Sequence, residues 1–161
     1  MTRGKALALV GLLAVLTASG YGRQATAQLN WMGRPSYGTV TLRPGFLPDP
    51  RSASVVSGGG LSAAMAGPSC RGWITPQPDT ALILLGMSPW FRVYVTSNAD
   101  TTLVIRRPDG LIQCADDTFG LNPAIEGTFI PGRYAIWVGS YNQGENSPAI
   151  VSFTELQQNH P

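Results

Sequence analysis

The sequence predicts an all-β protein: a single antiparallel β-sandwich, jelly-roll-like, with about eight strands. Three observations predict it. The apolar runs are short and bounded by Gly, Pro, Asn or Asp, they are rich in β-branched and aromatic residues, and the longer ones repeat with a period of two. No long stretch with helical spacing competes with them.

The chain opens with "MTRGKALALVGLLAVLTASGYGRQATAQLN". Arg3 and Lys5 precede an apolar run from Ala6 to Ala18, and Ala25-Thr26-Ala27 offers a small-x-small cleavage site, so residues 1–27 read as a secretory signal peptide. A membrane anchor needs roughly 18 or more apolar residues, which this run lacks. Gly20 stands where a lipidated cysteine would be required, so no lipid anchor is expected. Cleavage removes Arg3, Lys5 and Arg23, and eleven basic residues become eight arginines against nine acids. The basicity of the precursor therefore belongs to its export signal, and neither nucleic acid nor an anionic membrane is expected as a partner. A secreted or periplasmic monomer is expected.

Residues 28–37 are polar and glycine-containing and are expected to form a flexible lead-in. The sandwich is assigned to residues 38–155. Its strands are read in "SASVVS", "CRGWI", "TALILL", "WFRVYVTS", "TTLVIR", "LIQC", "RYAIWVGS" and "AIVSFT". In "WFRVYVTS", Phe91, Val93 and Val95 alternate with Trp90, Arg92, Tyr94 and Thr96, and in "RYAIWVGS", Tyr134, Ile136 and Val138 alternate with Ala135 and Trp137. Such strands turn one face to a core. The glycine flanks of "LSAAMAG" favour a loop. Residues 156–161, "LQQNHP", form a polar tail in which little order is expected.

Cys70 and Cys114 are the only cysteines, and an even pair in an exported chain most simply forms one disulfide. The loop so closed is worth on the order of 4 kcal/mol in the chain-entropy account. A metal site built on the two thiols lacks further ligands, because the only histidine, His160, is second from the carboxyl end.

The most informative local signal is "TTLVIRRPDGLIQCADD". Pro108-Asp109-Gly110 is turn chemistry: proline sets the first corner and glycine accepts positive φ. Pairing Arg107 with Gly110 places Leu103 opposite Cys114 and Asp100 opposite Asp117. A one-residue bulge instead places Thr101 opposite Asp117 and Thr102 opposite Asp116. Both registers gather Asp100, Asp116 and Asp117 at the open end of one hairpin. Like charges facing each other weaken a strand pair, so the cluster calls for solvent or a cation. Calcium takes hard oxygens from carboxylates, amides and carbonyls, and "DDTFGLNP" supplies Asn122 and carbonyls beside the acids. A hydrated acidic turn, its carboxylates bonded to local N–H groups, is the other reading of the same residues.

The run "GFLPDP", "GGGLSAAMAGPSCRGWI", "PD", "DTTLVIRRPDG", "CADD", "GLNP" and "GRYAIWVGSY" resembles the bacterial secreted pre-peptidase C-terminal-like β-sandwich domains found with exported proteases and collagenases. The resemblance covers about Tyr37 to Thr154. It implies a jelly-roll-like sandwich and a structural calcium at Asp100, Asp116 and Asp117. It departs at Ala115, where similar sequences often carry a polar residue, so one oxygen ligand is missing.

A hydrolase is the least favoured function. The mature chain has no lysine for a serine-lysine dyad, no Gly-x-Ser-x-Gly or His-Glu-x-x-His, and only a tail histidine. Asp116 and Asp117 are neighbours, so on a strand their side chains point to opposite faces, which is poor geometry for sharing a proton. A non-catalytic binding module is expected. Trp73 and Trp90 are assigned to the core, while Trp137 and Tyr141 are candidate contacts for an extracellular polysaccharide or protein. The alternative partner is a secreted protease that the module accompanies.

Overall fold

The computed structural model describes residues 28–161; the expected signal peptide lies outside the described residues. The described residues fold into eleven strands: β1 (Thr39–Leu42), β2 (Arg51–Val56), β3 (Leu61–Ser62), β4 (Trp73–Ile74), β5 (Thr80–Leu84), β6 (Ser88–Ser97), β7 (Thr101–Arg106), β8 (Ile112–Ala115), β9 (Ala124–Phe129), β10 (Gly132–Ser140) and β11 (Pro148–Thr154). The fold class is the expected one, an all-β sandwich. The strand count is higher than the expected eight, because β1, β3 and β9 carry weak local signals. β3 is two residues long, and β9 is interrupted by Glu126 and Gly127.

Two sheets face each other. One has the order β2-β11-β6-β9. The other is seven-stranded and centred on β10, with β7 and then β8 along one edge of β10, and β5 followed by β4 along its other edge. β1 extends β5 and β3 extends β4. All pairings are antiparallel except that of β1 with β5, which is parallel.

The two-residue period explains the core between the sheets. Leu103, Ile105, Tyr134, Ile136 and Val138 descend from the larger sheet onto Phe91, Val93, Phe129, Val151 and Phe153 of the smaller one. Phe129 lies 4.9 Å, centroid to centroid, from both Phe91 and Tyr134. The opposite face of the larger sheet is covered too. Val104, Ala135 and Trp137 project outward into a second buried cluster, roofed by Ala63, Cys70 and Ile74 and by Leu29 and Trp31 of the lead-in. The arm that makes this roof includes a 3₁₀ turn, Ala63–Met65, where a plain loop was expected; Ser62 caps it by accepting from the Ala64 N–H.

Both ends of the described chain are held more firmly than their composition suggested. In the lead-in, the N–H groups of Asn30 and Tyr37 donate to the carbonyls of Pro76 and Asp79, each at 2.7 Å, and the Arg133 guanidinium donates to the carbonyls of Trp31 and Gly33. The tail lies across the outer face of the smaller sheet. There the buried Arg92 donates to the carbonyls of Gln157 and Asn159 and pairs with Glu126 at 2.6 Å. Trp73 and Trp90 are half-buried and belong to neither core cluster; Trp90 lies beneath the Arg92 guanidinium.

Candidate metal centre

The β7–β8 hairpin turns at Pro108-Asp109-Gly110. The Gly110 N–H donates to the Arg107 carbonyl, the Arg107 N–H donates to the Leu111 carbonyl, and Gly110 has φ of 88°. That positive φ is the glycine-dependent bulge that adds one residue to the loop. The observed pairs are Arg106 with Ile112, Val104 with Cys114 and Leu103 with Ala115, which is the bulged register of the two considered above. Cys70 and Cys114 form the disulfide and tie β8 to the arm before β4.

Ladder pairing ends at Ala115, and the chain then bends, with the Asp116 carbonyl accepting from the Thr118 N–H. The bend overturns the expectation that Asp116 and Asp117 point to opposite faces, which holds only while the strand continues. Asp100, Asp116 and Asp117 each present a carboxylate oxygen within 4.8 Å of the others. The Asp100 backbone is fixed by its carbonyl, which accepts from the Tyr141 N–H, and by its neighbour Thr101, whose N–H donates to Leu121.

The charges oppose one another. Burial raises the Asp100 carboxyl above its ordinary range, and the charges of Asp117 and Glu145 push the same way. Burial also raises Asp116, the charges of Asp117 and Asp100 add to it, and Arg71 pulls it back. One oxygen each of Asp100 and Asp116 is buried with no hydrogen-bond partner among the described residues. Carboxylate oxygens usually find a donor when they lose water, so two orphaned acceptors at one corner fit a hard cation better than local N–H caps.

Asn122, the fourth expected ligand, has a backbone partner. Its amide oxygen accepts from the Ser97 N–H at 2.9 Å, which makes it a brace at the end of β6. Arg71 was not anticipated from sequence. A signal for Arg71 was present: the disulfide sets position 71 beside the chain that leads from Cys114 to Asp116, and Ser69, Arg71 and Asp116 share the lining of a small cavity of about 120 Å³.

Trp137 is not a surface contact. Its ring is wholly buried, edge-on to Trp31 at 5.2 Å, and its indole N–H donates to the Thr75 carbonyl. The alternation was right about its face, but the lead-in and the disulfide arm cover that face. Tyr141 is exposed at the start of the loop that follows β10. The His160 ring stacks on Phe119.

The chain matches no family model and no curated protein. Among solved structures it is similar to a pre-peptidase C-terminal domain of a collagenase from Bacillus anthracis, with 13% identity and a TM-score of 0.49, over 76% of this chain and 99% of that one. A second similar structure is PliG of Aeromonas hydrophila, a periplasmic inhibitor of g-type lysozyme, with 15% identity and a TM-score of 0.38, over 73% of this chain and 96% of that one.

Proposed function

We propose that this protein is a secreted, non-catalytic β-sandwich module whose acidic corner holds a structural calcium ion, and which binds an extracellular polymer or protein. The observation that carries the reading is the convergence of Asp100, Asp116 and Asp117 with two buried, unpartnered carboxylate oxygens. A divalent cation would relieve the mutual repulsion of the three acids, and it would tie the start of β7 to the end of β8. The disulfide supports an oxidising compartment outside the cytoplasm.

Thermal unfolding after chelation, with and without added calcium, tests it. A ligand that binds only the native state at a hundred times its Kd adds about 2.7 kcal/mol, or roughly 5–10 °C for a domain of this size. The rise is expected in the wild type and lost in the Asp116→Ala, Asp117→Ala double variant. An unchanged wild-type Tm sinks the metal reading.

A further inference from the structure

A second polar site lies at the other end of the same hairpin. The β7–β10 register sets Arg106 directly opposite Ala135, and Arg133, two residues before Ala135, projects on the same outer face. The small Ala135 side chain leaves a hollow between the two arginines. Pro108 and Met32 wall it, giving a cavity of about 200 Å³.

The two guanidinium groups are held but not neutralised. Arg106 lies over the Trp31 ring at 5.7 Å, and Trp31 is itself fixed edge-on against buried Trp137. Arg133 donates one N–H to the Trp31 carbonyl at 2.9 Å and another to the Gly33 carbonyl at 3.1 Å, leaving its remaining donors uncommitted. Among the described residues, the arginine–acid pairs are Arg92 with Glu126 and Arg107 with Asp109. Asp109, the acid on the hairpin tip, is thus engaged by Arg107, and Arg106 and Arg133 face the hollow without a carboxylate. Guanidinium groups pre-positioned by stacking and by backbone hydrogen bonds lose little freedom on meeting a planar anion.

We infer that this hollow is a carboxylate-binding pocket for an acidic side chain on a peptide segment of a partner protein. Its volume suits a single side chain. The wall favours peptide over glycan: Met32 is 73% exposed, Pro108 shares the lining, and among the described residues the lining carries no neutral polar side chain to meet the hydroxyls of a sugar ring. An exposed thioether is an adaptable apolar contact of the kind that protein-binding surfaces use. The inference names the partner chemistry for the binding role proposed above and rests on that role. It does not depend on calcium.

The test is fluorescence anisotropy, in chelator, with a short end-blocked peptide carrying one glutamate between two phenylalanines. Its glutamine counterpart and polygalacturonate serve as the other arms. The glutamate peptide is expected to bind at least tenfold more tightly than the glutamine peptide, with the advantage shrinking as salt rises. Arg106→Gln should abolish the difference at unchanged Tm. Arg133→Lys, which keeps the charge but not the planar fork, should reduce it. Equal binding of the two peptides to the wild type, or binding of neither, overturns the proposal without needing any variant. Arg106-dependent binding of polygalacturonate alone overturns the peptide as occupant. Because calcium is absent throughout, failure here and failure of the cation reading are separate results.

Discussion

Replacing Asp79 by asparagine should change how stability depends on pH more than it changes stability itself. Asp79 is 1% exposed at the entry to β5. One carboxylate oxygen accepts from the Val138 N–H at 2.8 Å, and the other is buried without a partner. Burial drives its pKa up from 3.8 to about 7, against the opposing pull of the Val138 N–H. The folded state therefore holds this proton more tightly than the unfolded chain does. The resulting stability is fully present below about pH 4, declines as pH rises, and is gone above about pH 7. A shift of about three pH units at about 1.4 kcal/mol each makes the loss on the order of 4 kcal/mol. Asparagine keeps an acceptor for the Val138 N–H and never ionises. Its amide N–H groups, if unpartnered, cost about 1–3 kcal/mol, but they lower the curve without tilting it. Urea unfolding of both proteins, in chelator from pH 4 to pH 8, should show the variant gaining on the wild type by about that 4 kcal/mol across the range. Taking the difference cancels the titration of Asp100 and Asp116, which slopes the same way, and that of Asp109, whose lowered pKa slopes the other way. Parallel curves would mean that the Asp79 carboxyl is not raised by the fold.

Other outcomes follow from the same geometry. Changing both Cys70 and Cys114 to serine should cost on the order of 4 kcal/mol in urea unfolding. It should also weaken any calcium response, because Cys114 anchors the strand end that presents Asp116; an unchanged calcium response would show that the acidic corner holds itself. Trp137→Ala should destabilise by about 3–5 kcal/mol, as expected for emptying a buried aromatic site. A variant that unfolds like the wild type would return Trp137 to the surface.

Much of the fold was legible because it rests on local chemistry. Pro108-Asp109-Gly110 limited the hairpin to two registers, and alternation assigned the faces of β6 and β10 correctly. What remained hidden depends on distant pairings. The parallel partnership of β1 with β5 leaves no local pattern, and β9 hides its strand behind Glu126 and Gly127. Trp137 shows the same limit: periodicity reports which face a side chain occupies, but not whether another layer covers it. The candidate site was legible in part. The hairpin brought three acids to one corner, but a strand period continued past Ala115 gave the wrong mutual direction for Asp116 and Asp117. Asn122 carries an amide suited either to a cation or to a backbone N–H, and only the fold chose Ser97. Asp79 sits in "PQPDT", where its backbone is held by Tyr37 and Ile136, partners distant in sequence.

The central claim is that three separated carboxylates form one cation site. Calorimetric titration of the metal-free protein with calcium tests it most directly. A single saturable site is expected in the wild type, and it should disappear when Asp100 alone becomes asparagine, with the native fold retained. Absence of binding heat at every temperature tried, or binding undiminished by Asp100→Asn, would contradict it.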